Sequence, residues 1–204
     1  AAIISDAVAT PYHALVDRGA LRAGETVAVF GCGGLGEHAV QIARLSGAST
    51  IVAVDVRPAA LEEARRTGAD IVINAAEERP SRRVRELLGG VDLAIECVGR
   101  ADTIAEAVKS LRRGGRAVVV GMGPEPIQLP PPNTFTWGEQ ALLGAFGSSA
   151  AHVRSILGLV AARRLDLSRS VGMVLPLSRV NEGVDALRSK ERQATRVVVQ
   201  PGGA

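Results

Sequence analysis

Aromatic side chains are scarce in this 204-residue sequence: three Phe, one Tyr and one Trp. With so few flat rings, a surface that stacks nucleic-acid bases is not expected. Cysteines are fewer still. Cys32 and Cys97 share no C-x-x-C spacing and make no disulfide framework, which fits a reducing cytoplasm. No apolar run reaches the roughly 20 residues of a membrane-spanning helix. The first residues, "AAIISDAVATPYHAL", have no basic n-region and no long apolar core, so they read as no signal peptide. A strong charge of one sign is also lacking. The net charge is +3, from 24 Lys and Arg against 21 Asp and Glu, too little to imply a nucleic-acid partner. The basic run "RPSRRVRELL" (79–88) reads as the solvated face of a surface helix. Hydrophobic residues make up 47% of the chain, enough for a sizeable core. The expectation is a globular, cytoplasmic protein that neither spans a membrane nor binds nucleic acid.

What the sequence does have is alternation. Short apolar, β-branched runs occur at "TVAVFG" (26–31), "TIVAVD" (50–55), "DIVIN" (70–74), "DLAIECVG" (92–99), "RAVVVG" (116–121) and "ALLGAF" (141–146). Such near-continuous runs fit strands covered on both faces. Helical patterns lie between them near 35–46, 58–67, 81–88 and 102–111. The economical architecture is an α/β, doubly wound, six-stranded parallel sheet. The segment "MGPEPIQLPPPNTFTWGEQ", with its three consecutive prolines, predicts a long extended loop and no helix. Beyond 147 the rhythm is expected to stop. A helix near 150–163, a short extended stretch "VGMVLPL", a helix "SRVNEGVDALRS" with Ser178 as a candidate cap, and a last strand "ATRVVVQP" form a separate subregion.

The stretch "FGCGGLGEHAVQIARLSGASTIVAVD" (30–55) carries the clearest chemistry. Gly31, Gly33 and Gly36 form a G-x-G-x-x-G turn that closes one strand and opens a helix. The amides and dipole of that helix start favour an anion. Asp55 ends the next strand, where a carboxylate can accept hydrogen bonds from an adenosine ribose. A plain tight turn is the alternative reading, but strand, turn, helix, strand and acid in register predict dinucleotide binding. A carboxylate at that place repels a 2′-phosphate and favours NAD over NADP, while Arg57, two residues on, is suited to pair with such a phosphate, and equally to lie flat on the adenine or to stay solvated. An S-adenosylmethionine-dependent methyltransferase uses a similar turn and acid, yet the late β-hairpin usual in that class has no counterpart here.

The segments "VAVFGCGGLGEHAVQIARLSGASTIVAVD", "GADIVINA", "VDLAIECVG", "GGRAVVVGM" and "LPLSRVNEGVDALRSKERQATRVVVQP" together resemble medium-chain, zinc-dependent alcohol dehydrogenases. The resemblance runs from about Asp6 to the end. It implies a Rossmann NAD-binding domain over 23–147. Residues 1–22 would be a remnant of the catalytic domain and entry helix, and 148–204 a segment that returns to that domain. It also implies that Gly31, Gly33, Gly34 and Leu35 line the pyrophosphate, beside Gly36 of the same turn, with Asp55 on the adenosine ribose. Val98, Val120 and Met122 would border the nicotinamide half, Arg196 would reach back to the phosphates, and Thr10 would pack beside the nicotinamide ring. Without the resemblance, Val98, Val120 and Met122 read as strand-end core and Arg196 as a surface arginine.

Four positions before Thr10 that family places the third protein ligand of its catalytic zinc, which here is Asp6. An Asp oxygen suits zinc beside Cys and His ligands. Alternatively, Thr10-Pro11 caps and opens a helix, leaving Asp6 as a solvated acid outside it. His13, His38 and His152 lie at no spacing that completes a site with Asp6 and read as ordinary surface or core histidines. Cys32 reads as a small buried filler. The resemblance further implies an oxidoreductase that moves hydride between an alcohol or carbonyl substrate and nicotinamide, with zinc as Lewis acid in the whole enzyme. The catalytic residues would lie in the other half, so this chain alone is expected to be inactive. A zinc-free quinone or enoyl reductase of the same superfamily and a non-catalytic cofactor-binding module are the alternatives. Finally, the apolar sixth strand invites edge pairing, and the resemblance implies a homodimer through it.

Overall fold

The computed structural model describes residues 2–189 and 196–202. Six β-branched runs form strands β1 (Thr26–Phe30), β2 (Thr50–Asp55), β3 (Ile71–Asn74), β4 (Val91–Glu96), β5 (Leu111–Val119) and β6 (Ala141–Gly144). They hydrogen-bond in the order β3-β2-β1-β4-β5-β6, all parallel. This is the doubly wound arrangement that the alternation predicts. Helices α2 (Gly36–Leu45), α3 (Pro58–Thr67), α4 (Pro80–Leu88) and α5 (Ala101–Lys109) make the crossovers.

Side chains alternate across a strand, and here each face feeds a different core layer. Val27, Val29, Ile51 and Ala53 pack with Ala39, Val40, Ile42 and Ala43 of α2. Ala28, Phe30, Val52 and Val54 pack on the other face with Val84 of α4 and Ala107 and Val108 of α5. The strand-to-strand register is regular except between β4 and β5. There Val91 pairs with Leu111 but Leu93 with Arg116, so β5 starts earlier than "RAVVVG" suggests and carries a bulge.

Before β1, a helical run consists of a π-helical turn Ile4–Val8, a short α1 (Ala9–Tyr12) and a second π-helical turn His13–Arg18. Pro11 falls inside this run rather than opening it, and Asp6 lies within the first turn. A proline cannot donate to the carbonyl four residues back and crowds it, which accounts for the wide turns on either side.

The proline-rich segment departs from expectation. Pro132–Trp137 is a helix, α6, because proline is well tolerated in the first helical positions, where its missing N–H has no partner to lose. The tail also keeps more of the rhythm than its composition suggests. Helix α7 (Ala150–Ala161) is followed by β7 (Met173–Pro176), a 3₁₀ turn Leu177–Arg179, α8 (Val180–Arg188) and β8 (Val197–Gln200). β7 and β8 pair in parallel as a second, two-stranded sheet, so α8 is a crossover helix of its own. Ser178 sits in the 3₁₀ turn, and no side chain caps α8. Among the described residues no helix is long and apolar enough to cross a membrane.

Ile156 of α7 and Leu165 beyond it are buried in the same core layer as Val29 and Ile95. Replacing Ile156 by Ala should therefore destabilise the chain by about 2–5 kcal/mol. Denaturant unfolding should show the loss in one cooperative transition, not as separate melting of α7.

Candidate functional site: the cleft between β1 and β4

β1 and β4 are neighbours, yet their helices go to opposite faces. The carboxyl ends of the two strands therefore splay apart, and a crevice opens where doubly wound sheets place their ligands. The cleft has a volume of about 690 Å³. Its walls include Gly31, Gly33, Gly34, Leu35, Gly36, Asp55, Arg57, Val98 and Arg196 among the residues singled out from sequence. Sequence reasoning did not anticipate Phe30, Val54, Val56, Ala75, Pro80, Cys97, Arg100, Asp102, Thr103 and Glu106, which also line it. Thr10 is buried outside the cleft lining. Val120 is buried and Met122 exposed just past β5, and neither is part of the cleft wall.

The floor of the cleft is the glycine turn. Gly31 has φ +85°, a conformation that only glycine adopts without strain, and its N–H donates to the Val54 carbonyl at 2.8 Å. A Cβ on Gly36 would run into the Gly31 carbonyl oxygen, so only hydrogen fits where α2 starts. Gly33, by contrast, has only the Arg57 Nη2 near its Cβ position, at 3.6 Å. Its surface faces the cleft, where a ligand can approach the backbone.

Asp55 fixes the geometry of one wall. Its Oδ2 accepts the Cys32 N–H at 2.8 Å, and its Oδ1 accepts the Arg57 N–H at 2.9 Å. The Arg57 guanidinium adds bonds at 3.1 and 3.2 Å. Burial alone would raise the Asp55 carboxyl, but the Arg57 side chain and these two backbone donors outweigh it and hold it below the usual carboxylate value. Arg57 is held firmly cationic in turn, first by its bond to Asp55. The Cys32 thiol is pushed up to about 12, by burial first and then by the Asp55 charge, so it is an inert filler rather than a nucleophile.

Arg196 closes the other side. Its guanidinium lies against the turn, with Nε 2.5 Å from where a Gly34 Cβ would be. Among the described residues, Arg196 Nε is the one buried side-chain N or O atom without a hydrogen-bond partner. Nη1 is 3.5 Å from Asp6 Oδ2, and Thr10 donates to Asp6 Oδ1 at 3.1 Å. Asp6 is 70% exposed, and no other His, Cys, Asp or Glu groups with it as a metal ligand set among the described residues.

Two buried groups brace the cleft from behind. Glu96, fully buried at the end of β4, accepts N–H bonds from Val98 and Gly99 at 2.9 Å and the Thr103 hydroxyl at 2.7 Å. It thereby shapes the turn beneath the rim. His38, fully buried in α2, places Nδ1 2.8 Å from the Gly34 carbonyl and Nε2 2.9 Å from Ser170 Oγ. Ser170 in turn lies 3.2 Å from Glu37 Oε1. This ties the glycine turn to the tail. Burial pulls His38 below the ordinary imidazole value of 6.5, against its bond to Gly34.

The family model for zinc-binding dehydrogenases matches residues 34–162. An alcohol dehydrogenase of Geobacillus stearothermophilus is 34% identical over 187 residues, covering 92% of this chain and 54% of that protein. Among solved structures, alcohol dehydrogenase TADH from Thermus sp. ATN1 superposes with a TM-score of 0.89 at 35% identity, over 97% of this chain and 57% of that one. A Sinorhizobium meliloti 1021 structure described as a zinc-binding dehydrogenase and bound to NADP gives 0.83 at 27% identity, over 98% and 58%. The chain thus spans about half the length of the relatives it matches.

Two substitutions test this geometry. Gly36→Ala should cost about 3 kcal/mol or prevent folding, because backbone rather than a flexible side chain must move. For His38, a folded-state pKa below the unfolded one means that its contribution is full above 6.5 and is lost as pH falls below that value. In His38→Gln, the stability lost between pH 7.5 and pH 5.5 should be smaller than in the parent chain, as read by denaturant melts at each pH.

Proposed function

The chain belongs to the zinc-binding dehydrogenase family, and from that premise we propose that it is the dinucleotide-binding half of an alcohol-dehydrogenase-like oxidoreductase that takes NAD(H) in preference to NADP(H). The observation that carries this reading is the turn itself: a Gly36 at which backbone leaves no room for a side chain and an open Gly33 facing the cleft, at the start of α2, with Asp55 in the same cleft wall. When bound, the nicotinamide supplies hydride transfer to or from an alcohol or carbonyl carbon.

The chain's own residues bind and orient. The amides at the start of α2 face an anion with the positive end of the helix dipole. The unpartnered Nε of Arg196, held against Gly34, is placed to donate to the same phosphates. Asp55 accepts from the adenosine ribose once Arg57 yields one of its side-chain bonds. Arg57 is 58% exposed and has room to swing. A 2′-phosphate at that place would meet the Asp55 charge, which supports NAD. Val98, 40% exposed at the rim, offers apolar surface to the nicotinamide half; Val120 and Met122, on either side of Gly121 where it packs on the Val98–Gly99 turn, are assigned to the same half, and so is Thr10.

For zinc, no group of three or more His, Cys, Asp or Glu among the described residues includes Asp6, and Asp6 is already engaged by Thr10 and Arg196. These residues alone do not make a zinc centre. Asp6 contributes to one only if the other ligands come from a catalytic half like that of the longer relatives, with 1–22 and 148–204 joined to it and 23–147 as the Rossmann unit. The unpaired thiols suit a cytoplasmic setting. β6 is a sheet edge beside the exposed Trp137 and Phe146. Pairing of two such edges gives a homodimer.

Calorimetric titration with NADH and with NADPH tests the proposal. NADH should bind more tightly, and Asp55→Asn should weaken it by about tenfold to a hundredfold, the worth of hydrogen bonds to a charged acceptor. Arg57→Ala should leave NADH binding in place. NADPH preference, or failure of both to bind, would contradict the reading. Sedimentation should give a dimeric mass, and a monomeric mass at micromolar concentration would contradict the pairing.

A further inference from the structure

Three side chains outside the cleft converge although sequence spacing gives no hint of it. His13 and Asp17 lie one turn apart in the π-helical segment His13–Arg18, and His152 lies in the first turn of α7. His13 Nδ1 is 3.1 Å from Asp17 Oδ2, and His152 Nε2 is 2.6 Å from the same oxygen. The two imidazole rings stand 5.0 Å apart. One ligand atom from each residue lies within 4.8 Å of the others, the one such group of three or more His, Cys, Asp or Glu among the described residues. None of the three lines the dinucleotide cleft.

We propose that His13, Asp17 and His152 form a binding site for a divalent transition-metal ion, zinc first, that clasps α7 to the helical run before β1. Two neutral imidazoles and one carboxylate are a donor set that zinc favours, and three protein ligands leave a fourth position for water. Metal–ligand bonds near 2.0–2.2 Å in a tetrahedron set ligand atoms roughly 3.3 Å apart. The two separations to Asp17 Oδ2, 3.1 and 2.6 Å, need a slight opening to reach that, and the two histidine nitrogens lie within 4.8 Å of each other, a span that a small ring rotation can close. Asp17 is 47% exposed, while the side chains of His13 and His152 are 21% and 14% exposed. An ion can therefore enter from solvent past Asp17 and be held by partly buried rings.

The outer contacts of His152 allow for the proton. Its Nδ1 accepts the Ser149 N–H at 2.9 Å and lies 3.2 Å from Ser149 Oγ, so without metal the ring proton is on Nε2, directed at Asp17. With the ion on Nε2, that proton moves to Nδ1, where Ser149 Oγ accepts it, as a ligand histidine's second nitrogen commonly requires. The exchange sacrifices the N–H bond that closes the α7 capping box, while Ser149 Oγ keeps the His152 N–H at 3.4 Å.

The test is equilibrium dialysis of the untagged 204-residue chain against Zn²⁺, with metal counted per chain. Absorption of the Co²⁺-loaded chain and thermal unfolding with and without Zn²⁺ would accompany it. One ion per chain is expected, with a tetrahedral cobalt spectrum and a melting temperature raised by Zn²⁺, as a ligand that binds only the folded state requires. Asp17→Asn, which preserves shape, and His13→Ala should each weaken binding about tenfold or more. Both should abolish the cobalt spectrum, while Asp6→Asn leaves it intact. Circular dichroism checks that the variants fold, and Asp17→Asn serves if His13→Ala does not. Absence of stoichiometric binding, binding that survives Asp17→Asn, or binding lost on Asp6→Asn would overturn the proposal and leave the trio as a hydrogen-bonded contact.

Discussion

Where α2 meets β1, a single side chain too many would undo the site. The Gly31 carbonyl occupies the space a Gly36 Cβ would need, so the helix begins directly over the strand end. Only at that distance do its first amides open onto the cleft. The constraint propagates outward. Gly31 turns with positive φ to reach the Val54 carbonyl of β2, and the next residue, Cys32, donates to Asp55 at the end of the same strand. Two strands and a helix are thus locked at one corner, and that corner is where an anion would sit.

Charge on this corner is arranged in layers. Asp55 is ionised but neutralised locally by Arg57, and Arg196 is cationic and only weakly paired with the exposed Asp6. A dianionic pyrophosphate would meet a helix dipole and one arginine with a buried donor to spare, while a ribose would meet a carboxylate able to exchange partners. Beneath them, Glu96 and His38 are buried polar groups that bond turn backbone, Glu96 at the Val98 and Gly99 N–H groups and His38 at the Gly34 carbonyl. They set the positions from which the amides act. His38 also reaches Ser170 in the tail, so the tail is part of the support for the turn and not an appendage.

Much of this was legible in the sequence, for reasons that can be stated element by element. "TVAVF" and "TIVAVD" have nowhere to be stable except between two helical layers, and the glycine spacing has few structural uses other than a strand-to-helix turn. Legibility failed where the outcome depended on which of two local rules applied. Three prolines read as a break, but the last of them starts α6. The fifth strand read as starting at Arg116, yet β5 begins at Leu111 and carries a bulge before Arg116. It failed again wherever partners are distant. Asp55 and Arg57 are two residues apart, and nothing in that spacing says that the guanidinium folds back on the carboxylate. His152 and Asp17 meet across 135 positions through packing of α7 that no local pattern encodes. Glu96 in "DLAIECVG" gave no sign of its role, because a carboxylate serving backbone N–H groups looks in sequence like any other strand-end acid.

The central claim is that a dinucleotide sits on the turn between β1 and α2, and amide chemical shifts of the ¹⁵N-labelled chain during addition of NADH test it most directly. The account predicts saturable shifts of the Gly33, Gly34, Leu35 and Gly36 amides, together with Cys32 and Arg57 on the Asp55 side. Saturable shifts confined to other surfaces, with these amides unmoved, would contradict it.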